Sequence, residues 1–240
     1  MQQNKINILC TKAVDHALLE QVSSRNVGVD IISFIKTEPS ITPDLLDEIH
    51  NISQSSTVVF TSANAVEAMA RSLDKQKIKP SGWRVFCIGH ATKESVVNYF
   101  GERSIAGVAD NTEELAREIL RVKINEVIFF CGDQRRDELP RLLKKNNIDV
   151  KEIIVYKTIA TPQKIEGKYE GILFFSPSAV KSFFQINQLT NETVLFAIGN
   201  TTAEEIKQFS KNRVVISDMP DKNALLDKAI SYLQTNSIHH

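Results

Sequence analysis

Ten short apolar runs, each followed by a more polar stretch, set the terms on which this chain can fold. They are Ile6–Cys10, Val29–Ile35, Val58–Phe60, Val85–Ile88, Ser104–Val108, Val127–Cys131, Ile153–Tyr156, Ile172–Phe175, Leu195–Ile198 and Val214–Ile216. Their length and their Val, Ile and Phe content suit strands buried on both faces, the condition of a parallel sheet. The stretches between them carry helical periodicity. Around Thr112–Arg121, Leu115, Ile119 and Val122 recur at spacings of four and three. Asn111 or Thr112 can cap that helix, and Glu113 and Glu114 favour its positive end. Strands alternating with helices mean an α/β fold. Ten strands are too many for one small open sheet in 240 residues. Five per sheet gives two flavodoxin-size, doubly wound units.

The chain also repeats itself. Arg25–Thr37 aligns with Asn146–Thr158 at an offset of 121, and Cys10 and Cys131 share that offset. Phe60–Met69 aligns with Phe174–Phe183 at 114, and Ile88–Ser95 with Ile198–Glu205 at 110. Matches in conserved order with slowly drifting offsets argue for an internal duplication of about 120 residues. Two similar lobes with a cleft between them are the expected outcome, and ligand sites favour such interfaces.

Composition narrows the function. Lys plus Arg and Asp plus Glu both number 29, so the net charge is zero and no basic excess points to nucleic acid. No apolar run reaches the roughly 20 residues of a membrane helix. The start of the chain has no signal-peptide core, so a cytoplasmic protein is expected. The three cysteines, Cys10, Cys87 and Cys131, are far apart and form no C-x-x-C, so they read as buried thiols. His16, His50 and His90 make no metal-binding pair, and His239-His240 are given no weight. Phosphate-binding glycine loops and G-x-S-x-G elbows are absent. Trp83, at a strand entrance, reads as packing.

Polar residues gather where strands end. Thr61-Ser62-Ala63-Asn64, Gly89-His90-Ala91-Thr92, Ser176-Pro177-Ser178 and Gly199-Asn200-Thr201-Thr202 each follow an apolar run. In a doubly wound sheet those ends face the ligand crevice. A helix starting there offers free N–H groups to an anion. Ordinary helix capping explains the same residue types. Cys131-Gly132-Asp133-Gln134-Arg135-Arg136 is a fifth such turn, and its arginines fit carboxylate or phosphate recognition as well as they fit a solvated first turn. Lys12 is placed similarly after the first run. Tyr156 ends its strand where the duplicate has Ile35, so its phenol is either a hydrogen-bond donor to a ligand or a satisfied, partly buried side chain.

These residues resemble the uroporphyrinogen-III synthase family over about Ile6 to Ile230. The likeness rests on Phe60-Thr61-Ser62-x-x-Ala65-Val66, Ile88-Gly89-x-x-Thr92, Val155-Tyr156-x-Thr158, Phe175-Ser176-Pro177-Ser178 and Ile198-Gly199-x-Thr201-Thr202. Lys12 departs from the pattern, because many members carry Thr-Arg at Thr11-Lys12; the charge remains but the bidentate fork is lost. The resemblance implies two flavodoxin-like domains joined by a two-stranded linker. The first would take residues 1–36 and 161–240, the second 37–160. The linker strands would run near Phe34–Thr37 and Tyr156–Ala160 and act as a hinge.

The resemblance further implies the cyclisation of hydroxymethylbilane, a linear tetrapyrrole, to uroporphyrinogen III with ring D inverted and water lost. It implies no cofactor or metal and a small-molecule substrate, and a monomer suits a cleft enzyme that must open. Tyr156 matches the tyrosine proposed to assist departure of the hydroxyl. Thr11, Lys12, Ser62, Ala63, Asn64, Gly89, Thr92, Gly132, Arg135, Ser176, Pro177, Ser178, Gly199, Thr201 and Thr202 would hold substrate, with Thr92 and Thr202 in equivalent loops. Two rivals stand beside it: a non-catalytic two-lobed binder of an anionic ligand, and a two-domain nucleotide enzyme. The first would share the cleft and the duplication; the second lacks a phosphate-binding loop.

Overall fold

A computed structural model describes residues 5–14, 19–20, 22, 25–50, 52, 56–78, 80 and 82–237. His16 lies outside them, as do His239 and His240. In chain order the strands are β1 (Ile6–Cys10), β2 (Val27–Ile31), β3 (Ile35–Pro39), β4 (Thr57–Phe60), β5 (Arg84–Ile88), β6 (Ile105–Ala109), β7 (Glu126–Gly132), β8 (Asp149–Ala160), β9 (Gly171–Phe174), β10 (Val194–Ala197) and β11 (Val214–Ile216). The helices are α1 (Pro43–His50), α2 (Ala63–Lys75), α3 (His90–Phe100), α4 (Thr112–Leu120), α5 (Glu138–Lys145), α6 (Pro177–Phe184), α7 (Asn200–Phe209) and α8 (Lys222–Ser237).

The chain divides into two compact units, Met1–Lys36 with Ile159–His240, and Thr37–Thr158. The first holds a five-stranded sheet in the order β11-β10-β9-β1-β2. The six-stranded sheet runs β3-β8-β7-β4-β5-β6. From β1 with β2 to β10 with β11, and from β4 with β5 to β7 with β8, the paired strands are parallel. The uninterrupted apolar runs are the cause, because both faces of each sheet are covered. Val58 and Phe60 of β4 pack on one side with Met69, while Val59 packs on the other with Leu115 and Ile119. Ile8 and Leu9 of β1 divide between two clusters in the same way. Trp83 is buried and stacks on Phe130, with ring centroids 5.5 Å apart.

The sequence repeat and the folding units are not the same objects. The repeat equates β1 with β7, β2 with β8, β4 with β9 and β5 with β10. Read through those equivalences, the order β11-β10-β9-β1-β2 matches β6-β5-β4-β7-β8. Each sheet therefore combines strands from both halves of the duplication. A unit built this way cannot be a continuous segment in both cases, and the first unit is the discontinuous one.

One expected strand becomes two. The run Val29–Ile35 breaks after Ile31: β2 ends there, and Ile35 opens β3 of the other sheet. Ser33 marks the break, its hydroxyl donating to the Ile35 carbonyl at 2.7 Å. Among the described residues eleven strands result where ten runs were counted. β8 extends well beyond Ile153–Tyr156 in both directions. Helix ends follow their local chemistry. Asn111 caps α4 by accepting from the Glu114 amide at 2.9 Å. α3 stops at Gly101, whose φ of 83° an L side chain rarely adopts.

Candidate functional site

In the Thr37–Thr158 unit the central strands β4 and β7 are neighbours, and the chain leaves them in opposite directions across the sheet. That is the topological switch point, where the loops after both strands open a crevice. The loop after β4 is Thr61-Ser62. Ser62 adopts extended backbone and caps α2, its hydroxyl accepting from the Ala65 amide at 3.2 Å. The loop after β7 begins at Gly132.

Tyr156 joins these two loops. Along β7 and β8 the register runs Cys131 to Ile154 and then Gly132 to Tyr156, passing over Val155. Such a bulge re-aims the side chains beyond it. The half-buried Tyr156 ring then lies directly across Gly132: a Cβ on Gly132 would stand 2.4 Å from Cζ and 2.7 Å from the phenol oxygen. That oxygen is 3.2 Å from Ser62 Oγ. Backbone bonds fix the arrangement, since the Asp133 amide donates to the Tyr156 carbonyl at 3.1 Å and the Thr158 amide to the Asp133 carboxylate at 2.9 Å. A shallow pocket of about 30 Å³ lies beside the phenol, lined by Thr37, Glu38, Pro39, Asn64, Glu67, Ala68, Arg71 and Tyr156. A larger one, about 320 Å³, is lined by Ser56, Thr57, Ile124, Asn125, Glu126 and Ile128. Thr57 and Glu126 begin their strands, so it lies at the end of the sheet away from Tyr156, where doubly wound folds do not bind ligands.

The other strand-end residues fall into distinct environments. Gly89, with φ of 81°, precedes α3 in a conformation suited to glycine, and a Cβ there would meet nothing within 4 Å. Thr92 is buried on the first turn of α3. In the first unit Ser176 caps α6, accepting from the Ala179 amide at 3.2 Å, and Pro177 takes the first helical position, where no N–H is needed. Ser178 is half-buried. Gly199 precedes α7 with open space on its Cα; Thr201 is exposed and Thr202 buried. Thr11 is buried, its hydroxyl donating to the Leu173 carbonyl at 2.8 Å, while Lys12 is exposed.

Arg135 is engaged by its own chain. Its guanidinium pairs with Asp137 and with Glu152 on β8, and those carboxylates raise its pKa against the opposing effect of burial. Its charge is thus already matched, and its amide donates to the Gly132 carbonyl at 3.2 Å. Burial pushes the three thiols up, Cys10 to about 12 and Cys87 and Cys131 to about 11. They are inert at neutral pH. Among the described residues no group of three or more His, Cys, Asp or Glu could hold a metal ion, and no helix is long and apolar enough to cross a membrane. The sequence reading did not find the bulge at Val155 or the lining residues Glu67 and Arg71. The latter pair share a helix face with Asn64, which the helical repeat alone makes visible.

Comparison with known proteins places this geometry. The uroporphyrinogen-III synthase of Saccharomyces cerevisiae is 25% identical over 202 residues, covering 71% of this chain and 74% of its own. The Helicobacter pylori uroporphyrinogen-III synthetase structure aligns with a TM-score of 0.65 at 17% identity, covering 95% of this chain and 99% of that one. A mutant uroporphyrinogen III synthase from Thermus thermophilus aligns at 0.64 and 11% identity, covering 96% and 99%. These two establish the shared fold. The model of the family described as uroporphyrinogen-III synthase HemD matches residues 16–227, and the chain belongs to that family of hydroxymethylbilane-cyclising enzymes of haem biosynthesis.

Proposed function

We propose that this chain converts hydroxymethylbilane to uroporphyrinogen III with inversion of ring D, and that Tyr156 assists the first step. The observation that carries the assignment is the Tyr156 phenol, hydrogen-bonded to Ser62 beside a shallow pocket at the switch point of its sheet. The first step breaks the carbon–oxygen bond of the hydroxymethyl group, and the electron pair leaves with oxygen. The pyrrole nitrogen supplies electrons to form an azafulvene, and its proton completes the departing water. Tyr156 donates a hydrogen bond to the leaving oxygen and ends unchanged. Attack by the substituted carbon of ring D then gives a spiro intermediate, which fragments and recloses with that ring reversed.

This substrate ionises readily, so the main task of the protein is orientation. Backbone N–H groups at helix starts suit that task, because they hold carboxylates without competing proton transfer. The segments we assign to this role are Ser62–Asn64, Gly89–Thr92, Ser176–Ser178 and Gly199–Thr202, with Thr11, Lys12, Gly132 and Arg135 bordering the substrate. The open Cα faces of Gly89 and Gly199 favour close approach of a ligand to the backbone. Thr92 and Thr202, being buried, would act by supporting those loops. We read residues 1–36 with 161–240, and 37–160, as the two domains of a cytoplasmic monomer; three free, buried thiols agree with a reducing compartment.

An isomer assay tests the reading. Fresh hydroxymethylbilane is incubated with the protein, and the oxidised products are separated into uroporphyrins I and III. Predominant type III is expected. Type I alone, at the rate seen without protein, would leave a tetrapyrrole binder rather than a synthase.

A further inference from the structure

We propose that Gly132 and Ser62 are positioning residues for Tyr156, Gly132 by giving the phenol ring its place and Ser62 by setting the direction of its proton. The proposal rests on the reaction assigned above. Two independent observations carry it. First, the ring occupies the volume that any side chain at 132 would fill, with the nearest atom 2.4 Å from a Cβ built there. The strand beneath the ring is held by the Asp133 amide on the Tyr156 carbonyl, so a side chain at 132 is accommodated only by swinging the end of the ring out of the place it shares with Ser62. Second, Ser62 Oγ has one lone pair committed to the Ala65 amide, and the phenol oxygen is 3.2 Å away.

A serine hydroxyl has one proton and two lone pairs. With the helix amide on one lone pair, donation to the phenol oxygen gives Ser62 a use for its proton. It also leaves the Tyr156 proton free. The result is a relay: the Ala65 N–H donates to Ser62, the Ser62 O–H to Tyr156, and the Tyr156 O–H to the departing oxygen. Chained donors polarise one another, so each link strengthens the next. If Tyr156 instead donated to Ser62, its proton would be spent inside the protein and the leaving oxygen would receive none.

The test combines kinetics with a signal from the phenol itself. Ser62→Ala should lower kcat about fivefold through the lost link. Because Ser62 acts through the phenol, Ser62→Ala/Tyr156→Phe should be no slower than Tyr156→Phe alone. Ser62→Thr keeps both the cap and the donor and should recover most of kcat. Gly132→Ala should match Tyr156→Phe in kcat, and adding it to Tyr156→Phe should cost little more. Fluorotyrosine labelling gives four ¹⁹F resonances, one per tyrosine, and the one lost in Tyr156→Phe identifies Tyr156. That resonance should shift in Ser62→Ala and return in Ser62→Thr. Single-variant factors that multiply in the doubles, or an unmoved resonance, overturn the proposal while leaving the synthase reading intact. A wild-type protein that forms only type I product overturns the synthase reading, and the proposal with it.

Discussion

The turns after β7 and β1 occupy equivalent places in the two sheets, yet only one of them has a phenol laid across it. After β7, Gly132 leaves its space to the Tyr156 ring. After β1, the equivalent Thr11 fills its own space and spends its hydroxyl on the Leu173 carbonyl. The neighbouring loops are nearly copies: Ser62 and Ser176 cap their helices with bonds of the same length, 3.2 Å. What differs is the strand beside the turn. β8 runs on through a bulge and delivers Tyr156, whereas β2 stops at Ile31. The comparison teaches that duplication supplied two similar capped frames, and that one of them exchanged a side chain at the turn for one on the adjoining strand.

Breaking the reactive frame should have the largest effect. Tyr156→Phe or Gly132→Ala should lower kcat about 10- to 100-fold without abolishing type III product, since a positioned donor contributes at that order and the substrate ionises unaided. Stopped-flow or initial-rate assays at saturating substrate measure it, and kcat within twofold of wild type would remove Tyr156 from the mechanism. Next, Arg135→Ala should act on stability more than on catalysis. It leaves Glu152, which is only 20% exposed, with Lys144 at 3.4 Å as its remaining cation, and should cost about 1 kcal/mol in denaturant unfolding. A large rise in KM with unchanged stability would instead make Arg135 a direct substrate ligand.

Thr11→Ala sharpens the comparison from the inert frame. Removing a buried hydrogen bond should cost about 1 kcal/mol and move KM rather than kcat. The smallest effect concerns alkaline pH. Tyr169 donates to Asp30 at 2.8 Å, and burial followed by that carboxylate raises its pKa to about 12 from an ordinary 10. The folded state thus favours the neutral phenol. Its contribution is complete below pH 10 and is lost as pH rises towards 12. Melting temperatures across that window should fall less steeply in Tyr169→Phe; identical slopes would show that the Asp30 contact does not bias the titration. The buried thiols titrate in an overlapping range, so the difference between the two proteins is the informative quantity.

Much of this architecture was legible because it is written in local patterns. Uninterrupted apolar runs such as Val127–Cys131 have no polar face and must be buried on both sides. Asn111, Ser62 and Ser176 cap helices where their side chains predict it. The duplication was legible too, but the discontinuous first domain was an expectation of the family resemblance and not of the offsets. Offsets cannot show that β1 and β2 fold with β9, β10 and β11, because strand partners are chosen by long-range packing. The run Val29–Ile35 likewise does not by itself show the break between β2 and β3; the resemblance, which sets a linker strand near Phe34–Thr37, pointed there instead. At the site, Tyr156 stood out by type and place. The bulge that turns it, the glycine it lies on and the ion pair that occupies Arg135 are tertiary facts. Glu152 lies 17 residues from Arg135, on the adjoining strand, and no spacing rule connects them.

The most direct test of the account is Ser62→Ala beside Ser176→Ala, with melting temperature and kcat measured on both. Both serines make the same cap, so both variants should lose comparable stability, about 1 kcal/mol. Only Ser62→Ala should lose kcat, while Ser176→Ala should register in KM. Equal losses of kcat would mean that the two frames contribute alike and that the seat of Tyr156 is not what distinguishes them.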